Sequence, residues 1–184
     1  MEKNRLEAFS DGVLAIIITI MVLELRQPAG DSLQDLLELG PIIVSYILSF
    51  AFVAIYWVNH HIILHDAETV NIGILWCNMA WLLVLSFIPF ATAWVGAHPT
   101  SWAPVCLYFA DMSLAAITFH LLHFLIVCEA GTRNEFHLGI RSDISLLVYF
   151  MAAVFGGFCP VVAYIAVALV TCWWIFPDKT NQPS

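Results

Sequence analysis

Arg5-Leu6-Glu7-Ala8-Phe9-Ser10-Asp11-Gly12-Val13-Leu14-Ala15-Ile16-Ile17-Ile18-Thr19-Ile20-Met21-Val22-Leu23-Glu24 decides the fold. A run of roughly 20 residues crosses the about 30 Å of a bilayer's hydrocarbon as a helix, and here the apolar run is entered through charged and polar residues. A lone charge in that position costs several kcal/mol, on the order of 3, unless it is paired or hydrated. Ser10 and Asp11 therefore need partners from other spans. At about 100° per residue, Gly12, Ile16, Ile20 and Leu23 fall on one narrow stripe with Val13 and Thr19 at its flanks, and Asp11 points roughly 140° away from it. Such a stripe serves either as a lipid or packing surface, or, with symmetry copies around an axis, as a hydrophobic constriction that passes or excludes water according to its radius. Periodicity alone does not choose between the two.

The rest of the chain agrees with a membrane origin. Of 184 residues, 61% are apolar and 11% charged, far from the roughly 45–50% and about 25% of a soluble domain. The expectation is an all-α integral membrane protein, a single domain over residues 1–184 with six transmembrane helices near 7–25, 41–64, 72–95, 102–128, 142–158 and 160–176. Gly156, Gly157 and Pro160 mark either a break between the last two or a kink in one long helix, and the break is favoured, since one helix there would far exceed a bilayer. Six basic residues leave no stripe to neutralise phosphates, so no nucleic-acid partner is expected. No stretch between the runs is long or polar enough for a separate catalytic domain, and no cleavable signal peptide is read at the start. Cys77, Cys106, Cys128, Cys159 and Cys172 all fall in apolar runs as small hydrophobes, so neither disulfides, a metal site nor a cofactor is expected.

Charge sets the orientation. With six spans, Lys3, Arg5, Arg133, Arg141 and Lys179 share one side and Arg26 stands on the other, which puts both termini in the cytoplasm. Trp57, Trp76, Trp94, Trp102, Trp173 and Trp174 sit near span ends, at headgroup depth. The outward segment after span one carries Glu24, Asp31, Asp35 and Glu38 against Arg26, an acidic surface that attracts cations. By depth, Trp57, His60 and His61 at the end of span two, and Asn71 and Asn78 in span three, lie level with Ser10 and Asp11. A His–Asp or His–Ser hydrogen bond across two spans would satisfy these groups. His61 and His65 read equally well as solvated interfacial residues.

Two other chemistries have residues to point to. His60, His61, His65, Asp66, His120 and His123 suggest a metal enzyme, but the pairs lie at different depths and no H-E-x-x-H arrangement occurs. Asp111, the one acid deep in an apolar run, suggests a secondary transporter with an intramembrane coupling carboxylate, its bland alternative being a hydrogen bond to Ser113, Thr118 or His120.

Arg5, Phe9, Ser10, Asp11 and Gly12, followed by Val-Leu-Ala-Ile-Ile-Ile-Thr-Ile-Met-Val-Leu-Glu-Leu, closely resemble the signature first helix of the transmembrane protein 175 family of potassium channels in its prokaryotic form. Trp57-x-x-His60-His61 and Phe87-Ile88-Pro89-Phe90 extend the resemblance, which covers essentially the whole chain. It implies a multi-pass protein of a prokaryotic cell membrane, not an enzyme, in which one six-span repeat assembles as a homotetramer around a pore lined by the first helix. Ile16 then matches the main constriction, Ile20 and Leu23 the rings above it, and Thr19 the threonine linked to ion coordination and selectivity. Arg5, Phe9, Ser10, Asp11, Gly12, Trp57, His60 and Asn78 form the structural and gating network, and Glu24 belongs to the outer vestibule. The permeant species is potassium with other monovalent cations, with modest preference over sodium.

Overall fold

The structure is a computed structural model that describes residues 3–65, 67, 69–130 and 139–176. Asp66, Arg133 and Lys179, which entered the metal and orientation arguments, lie outside them. The described residues form α1 (Lys3–Leu23), α2 (Leu33–Glu38), α3 (Gly40–His65), α4 (Ile72–Leu85), α5 (Ile88–Ala97), α6 (Trp102–Glu129), α7 (Gly139–Phe155) and α8 (Pro160–Ile175).

The third apolar run is not one straight helix. Pro89 has no N–H to give the carbonyl one turn earlier, and its ring crowds that turn. α4 accordingly ends at Leu85, Ser86 and Phe87 turn, and α5 begins with the proline in its first turn. Taken across this bend, Ile72–Ala97 joins Lys3–Leu23, Gly40–His65 and Trp102–Glu129 as the four stretches long and apolar enough to cross a membrane. α7 and α8, with 17 and 16 residues, are shorter. Gly156–Cys159 turn between them, and Gly157 lies under the Trp102 indole, where a Cβ would come within 2.1 Å of the ring. The segment between α1 and α3 contains an element that the sequence did not announce. Ser32 caps α2 by accepting from the Asp35 N–H, while the Asp35 carboxylate accepts from the Ser32 N–H and hydroxyl. That hydroxyl bond, with the backbone one, holds the Asp35 carboxyl below its ordinary range.

α6 is the spine, packed on α4, α5 and α7, while α3 packs on α5, α1 and α8. In lipid such contacts draw on close van der Waals fit rather than on expulsion of water. Aromatic rings fill the centre: Tyr56 meets Phe52 at 4.8 Å and Phe119 at 5.0 Å, edge to face in both cases, and Phe119 meets Trp81 at 5.4 Å. Nearer the opposite end of α3, Ser49 bonds the Thr92 hydroxyl at 2.7 Å and the Tyr108 hydroxyl at 2.8 Å, joining α3, α5 and α6 through a fully internal polar cluster. α3 and α5 approach closely at Gly96, where a Cβ would stand 3.0 Å from the Ile42 Cα. Backbone cannot yield as a side-chain tip can. Gly96→Val is therefore expected to cost about 1–3 kcal/mol, seen as a lower melting temperature of the detergent-solubilised protein, whereas Gly40→Ala, which meets nothing within 4 Å, should melt close to wild type.

Candidate permeation helix and its polar anchor

α1 has one buried face, Leu6, Ser10, Leu14, Ile17 and Met21, at the spacing of three and four that a single helical side demands. Ser10 is the polar member of that face and is completely enclosed. Its hydroxyl donates to the Leu6 carbonyl at 2.9 Å and accepts from the Asn78 amide nitrogen at 2.9 Å. The amide oxygen of Asn78 in turn accepts from His60 Nε2 at 2.8 Å, which fixes that nitrogen as the protonated one. The His60 ring lies flat on Trp81, centroids 4.8 Å apart and planes within 13°. Among the described residues His60 and His61 make no direct bond to Ser10 or Asp11. An amide offers a donor and an acceptor at once, so Asn78 on α4 links the histidine of α3 to the serine of α1, and Asp11 goes elsewhere.

Asp11 is half-buried and accepts from the Trp57 indole at 2.9 Å. One turn earlier on α1, Glu7 meets His61 Nδ1 at 2.6 Å, and one turn earlier again the Lys3 ammonium donates to the His65 carbonyl at 2.6 Å. Each step of four residues along α1 is matched by a step of four back along α3. The rungs lie toward the surface, where an ion pair contributes about 0–1 kcal/mol, so their weight is in aligning the two helices more than in strength. Glu7 and His61 were not singled out as a pair by the sequence. Their signal was the repeat Glu7/Asp11 on one helix against Trp57/His61/His65 on its antiparallel neighbour. Arg5 and Phe9 are exposed, and Arg5 stands apart from this network among the described residues.

The opposite face of α1 carries the stripe. Ile16 is 58%, Ile20 40% and Leu23 80% exposed, with Gly12 and Thr19 also open. A Cβ on Gly12 would meet nothing within 4 Å. Thr19 donates its hydroxyl proton to the Ile16 carbonyl at 2.8 Å, which leaves its lone pairs facing outward. Glu24 is exposed just past the helix end. Beside the stripe, between Ile16, Ile17 and Ile20 of α1 and Pro89 and Phe90 of α5, lies a cavity of about 430 Å³.

Asp111, in α6, has a buried Oδ2 with no hydrogen-bond partner among the described residues. Its supposed partners are engaged otherwise: Ser113 and Thr118 bond carbonyls of their own helix, and His120 bonds the Ala116 carbonyl and Ser142. Hydroxyls one turn from a carbonyl satisfy themselves locally, which is why they leave the carboxylate alone.

Residues 5–89 match the family described as endosomal/lysosomal potassium channel TMEM175. Over its whole length the chain is 40% identical to a protein of Chryseobacterium sp. (strain P1-3) named a potassium channel, covering 98% of it. A potassium channel of Chamaesiphon minutus is 34% identical over 66% of this chain and 64% of its own. The endosomal/lysosomal proton channel TMEM175 of Gallus gallus is 25% identical over 97% of this chain and 38% of its own length. The crystal structure of a lysosomal potassium-selective channel TMEM175 homolog from Chamaesiphon minutus superposes with a TM-score of 0.82 at 25% identity, covering 95% of this chain and 96% of that one.

Removing the amide at position 78 strands the enclosed His60 Nε2 and takes from Ser10 the donor it accepts, leaving that hydroxyl its bond to the Leu6 carbonyl. Asn78→Ala should destabilise the protein by about 1–3 kcal/mol, and more than Trp57→Phe, which frees only a half-buried carboxylate. Thermal melts in detergent compare the two, and equal losses would contradict the hierarchy.

Proposed function

The chain belongs to the TMEM175 family, and from that membership we propose that it is a potassium-permeable cation channel whose pore is lined by α1 from four identical subunits. The observation that carries the reading is the α1 stripe: Ile16, Ile20 and Leu23 stay uncovered on the helix whose other face is packed and whose Ser10 and Asp11 are bonded to neighbouring helices. α7 and α8 serve as the fifth and sixth spans, both termini lie in the cytoplasm, and the protein resides in the cell membrane. The family is one of channels rather than enzymes. Relatives named as channels favour passive conduction over a transporter coupled at Asp111.

A hydrated cation approaches the acidic outer segment, where four copies of Glu24 raise its local concentration within a Debye length of about 8 Å. It then meets rings of leucine and isoleucine that offer no ligands. Conduction requires these rings to be wide enough for water to enter with the ion, so opening is a wetting event produced by movement of α1. A hydrophobic ring strips hydration without supplying fixed oxygens, which gives modest selectivity. Thr19 oxygens, next to the narrowest rings, supply the preference for potassium over sodium. The Ser10–Asn78–His60 joint and the Asp11–Trp57 rung hold one end of α1 so that the rings keep their alignment.

The purified protein in liposomes is expected to conduct potassium electrogenically and faster than sodium. Ile16→Asn should raise flux and reduce the potassium preference, because a polar side chain holds water in the constriction at all times. Asp11→Ala should reduce tetramer yield or flux. A wild-type protein that moves cations only when a proton gradient is imposed would overturn the reading.

A further inference from the structure

We propose that the furrow between α6 and α7 is a phospholipid site, in which one acyl chain lies along Leu146, Leu147 and Phe150 and a primary ammonium of the headgroup sits on the Asp143 carboxylate. The inference goes beyond conduction to the side of the chain turned away from α1. For what reaches that side it rests on the reading that copies meet at the α1 stripe.

The rotation of α7 is fixed by its inward face. Ser142, Ser145, Tyr149 and Ala152 are enclosed, at the three- and four-residue spacing of one helical side. Ser142 shares a hydrogen bond of 3.1 Å with His120 of α6, and Ser145 accepts from the Trp174 indole of α8 at 2.9 Å. The opposite side of α7 then faces out. Asp143, Leu146, Leu147 and Phe150 stand at i, i+3, i+4 and i+7, so they form one column along the helix. With Ile117 of α6 they line an open furrow of about 380 Å³. Asp143, Leu147, Phe150 and Ile117 are all exposed. Among the described residues the Asp143 carboxylate makes no hydrogen bond or ion pair.

The end of α8 sets the depth. Arg141 donates to the Phe176 carbonyl at 3.1 Å and lies 5.1 Å from the centre of the Trp173 ring, while Trp174 is the partner of Ser145. Asp143 thus sits between two residues that touch the tryptophans of α8, rings that favour headgroup depth. From there the column runs about 10 Å toward the membrane centre, at 1.5 Å per residue from Asp143 to Phe150. The packing of the helices decides what covers it. α1 packs on α3, α4 and α5, whereas α7 packs on α6 and α8. Copies gathered around the α1 stripe therefore leave the α6–α7 side at the periphery, against lipid. An acyl chain in the furrow touches two walls instead of one, and close van der Waals fit is what association within a membrane draws on. The carboxylate adds the choice of headgroup. A primary ammonium brings three N–H donors to a charge-assisted bond, a quaternary ammonium brings none, and a headgroup that is only anionic is repelled. The chemistry fits an ethanolamine phospholipid.

Native mass spectrometry of the full chain, released from nanodiscs of equal parts phosphatidylethanolamine, phosphatidylcholine and phosphatidylglycerol, tests the site. The wild type is expected to retain phosphatidylethanolamine about tenfold over phosphatidylcholine, the ratio that one charge-assisted bond supplies, and to retain phosphatidylglycerol least. Asp143→Asn should bring the retained phosphatidylethanolamine down to the phosphatidylcholine level, and Asp143→Glu should keep the preference. Leu147→Trp, which fills the furrow, should lose the same phosphatidylethanolamine although its carboxylate remains. Equal retention of phosphatidylethanolamine by wild type and Asp143→Asn, or a wild type that holds the three lipids alike, would overturn the site. So would dissociation of the oligomer by Leu147→Trp, because the furrow would then be covered by another copy. The number of chains per complex is read from the same spectra, and a count other than four would tell against the channel reading while the lipid masses judge the site.

Discussion

A polar side chain enclosed by membrane helices has no water to fall back on, and the carboxamide of Asn78 is where this constraint is met. It gives one hydrogen to the Ser10 hydroxyl and its oxygen to His60 Nε2, so a single residue of α4 bonds groups from α1 and α3, while the other ring nitrogen of His60 is buried without a hydrogen-bond partner among the described residues. Trp81 is stacked on the histidine and Phe119 lies against the indole. In such surroundings the cost of losing one partner is the full cost of a stranded dipole. With the Asp11–Trp57 and Glu7–His61 rungs between α1 and α3, it holds three helices in one arrangement, and the exposed stripe on α1 inherits its direction from that arrangement.

The helical nature of the chain and the direction of that stripe were legible because both follow from short-range periodicity. Gly12, Ile16, Ile20 and Leu23 fall on one side by counting alone, and the structure leaves that side uncovered. The layer of polar partners was legible as a depth, since Trp57, His60 and Asn78 had to lie level with Ser10 and Asp11. Who bonds whom was not. Depth gives a coordinate along the membrane normal and leaves the angle around each helix free, and it is the angle that sends Asp11 to Trp57 and leaves Ser10 to Asn78. The same gap hid the Ser49–Thr92–Tyr108 cluster, whose members come from three helices with no common spacing. The break after Leu85 was written in the chain as Pro89, but the smooth hydropathy across residues 72–95 masked it.

α1 combines two mechanical characters. Its first half is tied by side-chain hydrogen bonds to α3 and α4, and its second half is held by apolar packing through the enclosed Ile17 and Met21. A motif rich in polar residues at the start of this helix therefore need not touch a permeating ion to matter, because its bonds fix the direction in which the apolar stripe faces.

The rungs between α1 and α3 have a further consequence for register. They recur every four residues on both helices, so a slip of α1 by one turn, about 5.4 Å, toward the Lys3 end would set Asp11 opposite His61 and Glu7 opposite His65. That is a second acceptable ladder. A slip the other way would set Asp11 opposite Val53, which is wholly buried and apolar. The rungs alone are thus ambiguous in one direction, like a vernier with two coincident marks. The buried Ser10–Asn78 contact has no counterpart one turn away, because Leu6 and Leu14 are the residues that would replace Ser10. A single neutral hydrogen bond in the interior, rather than the more conspicuous charges at the surface, selects which of two charge-compatible alignments the helix adopts.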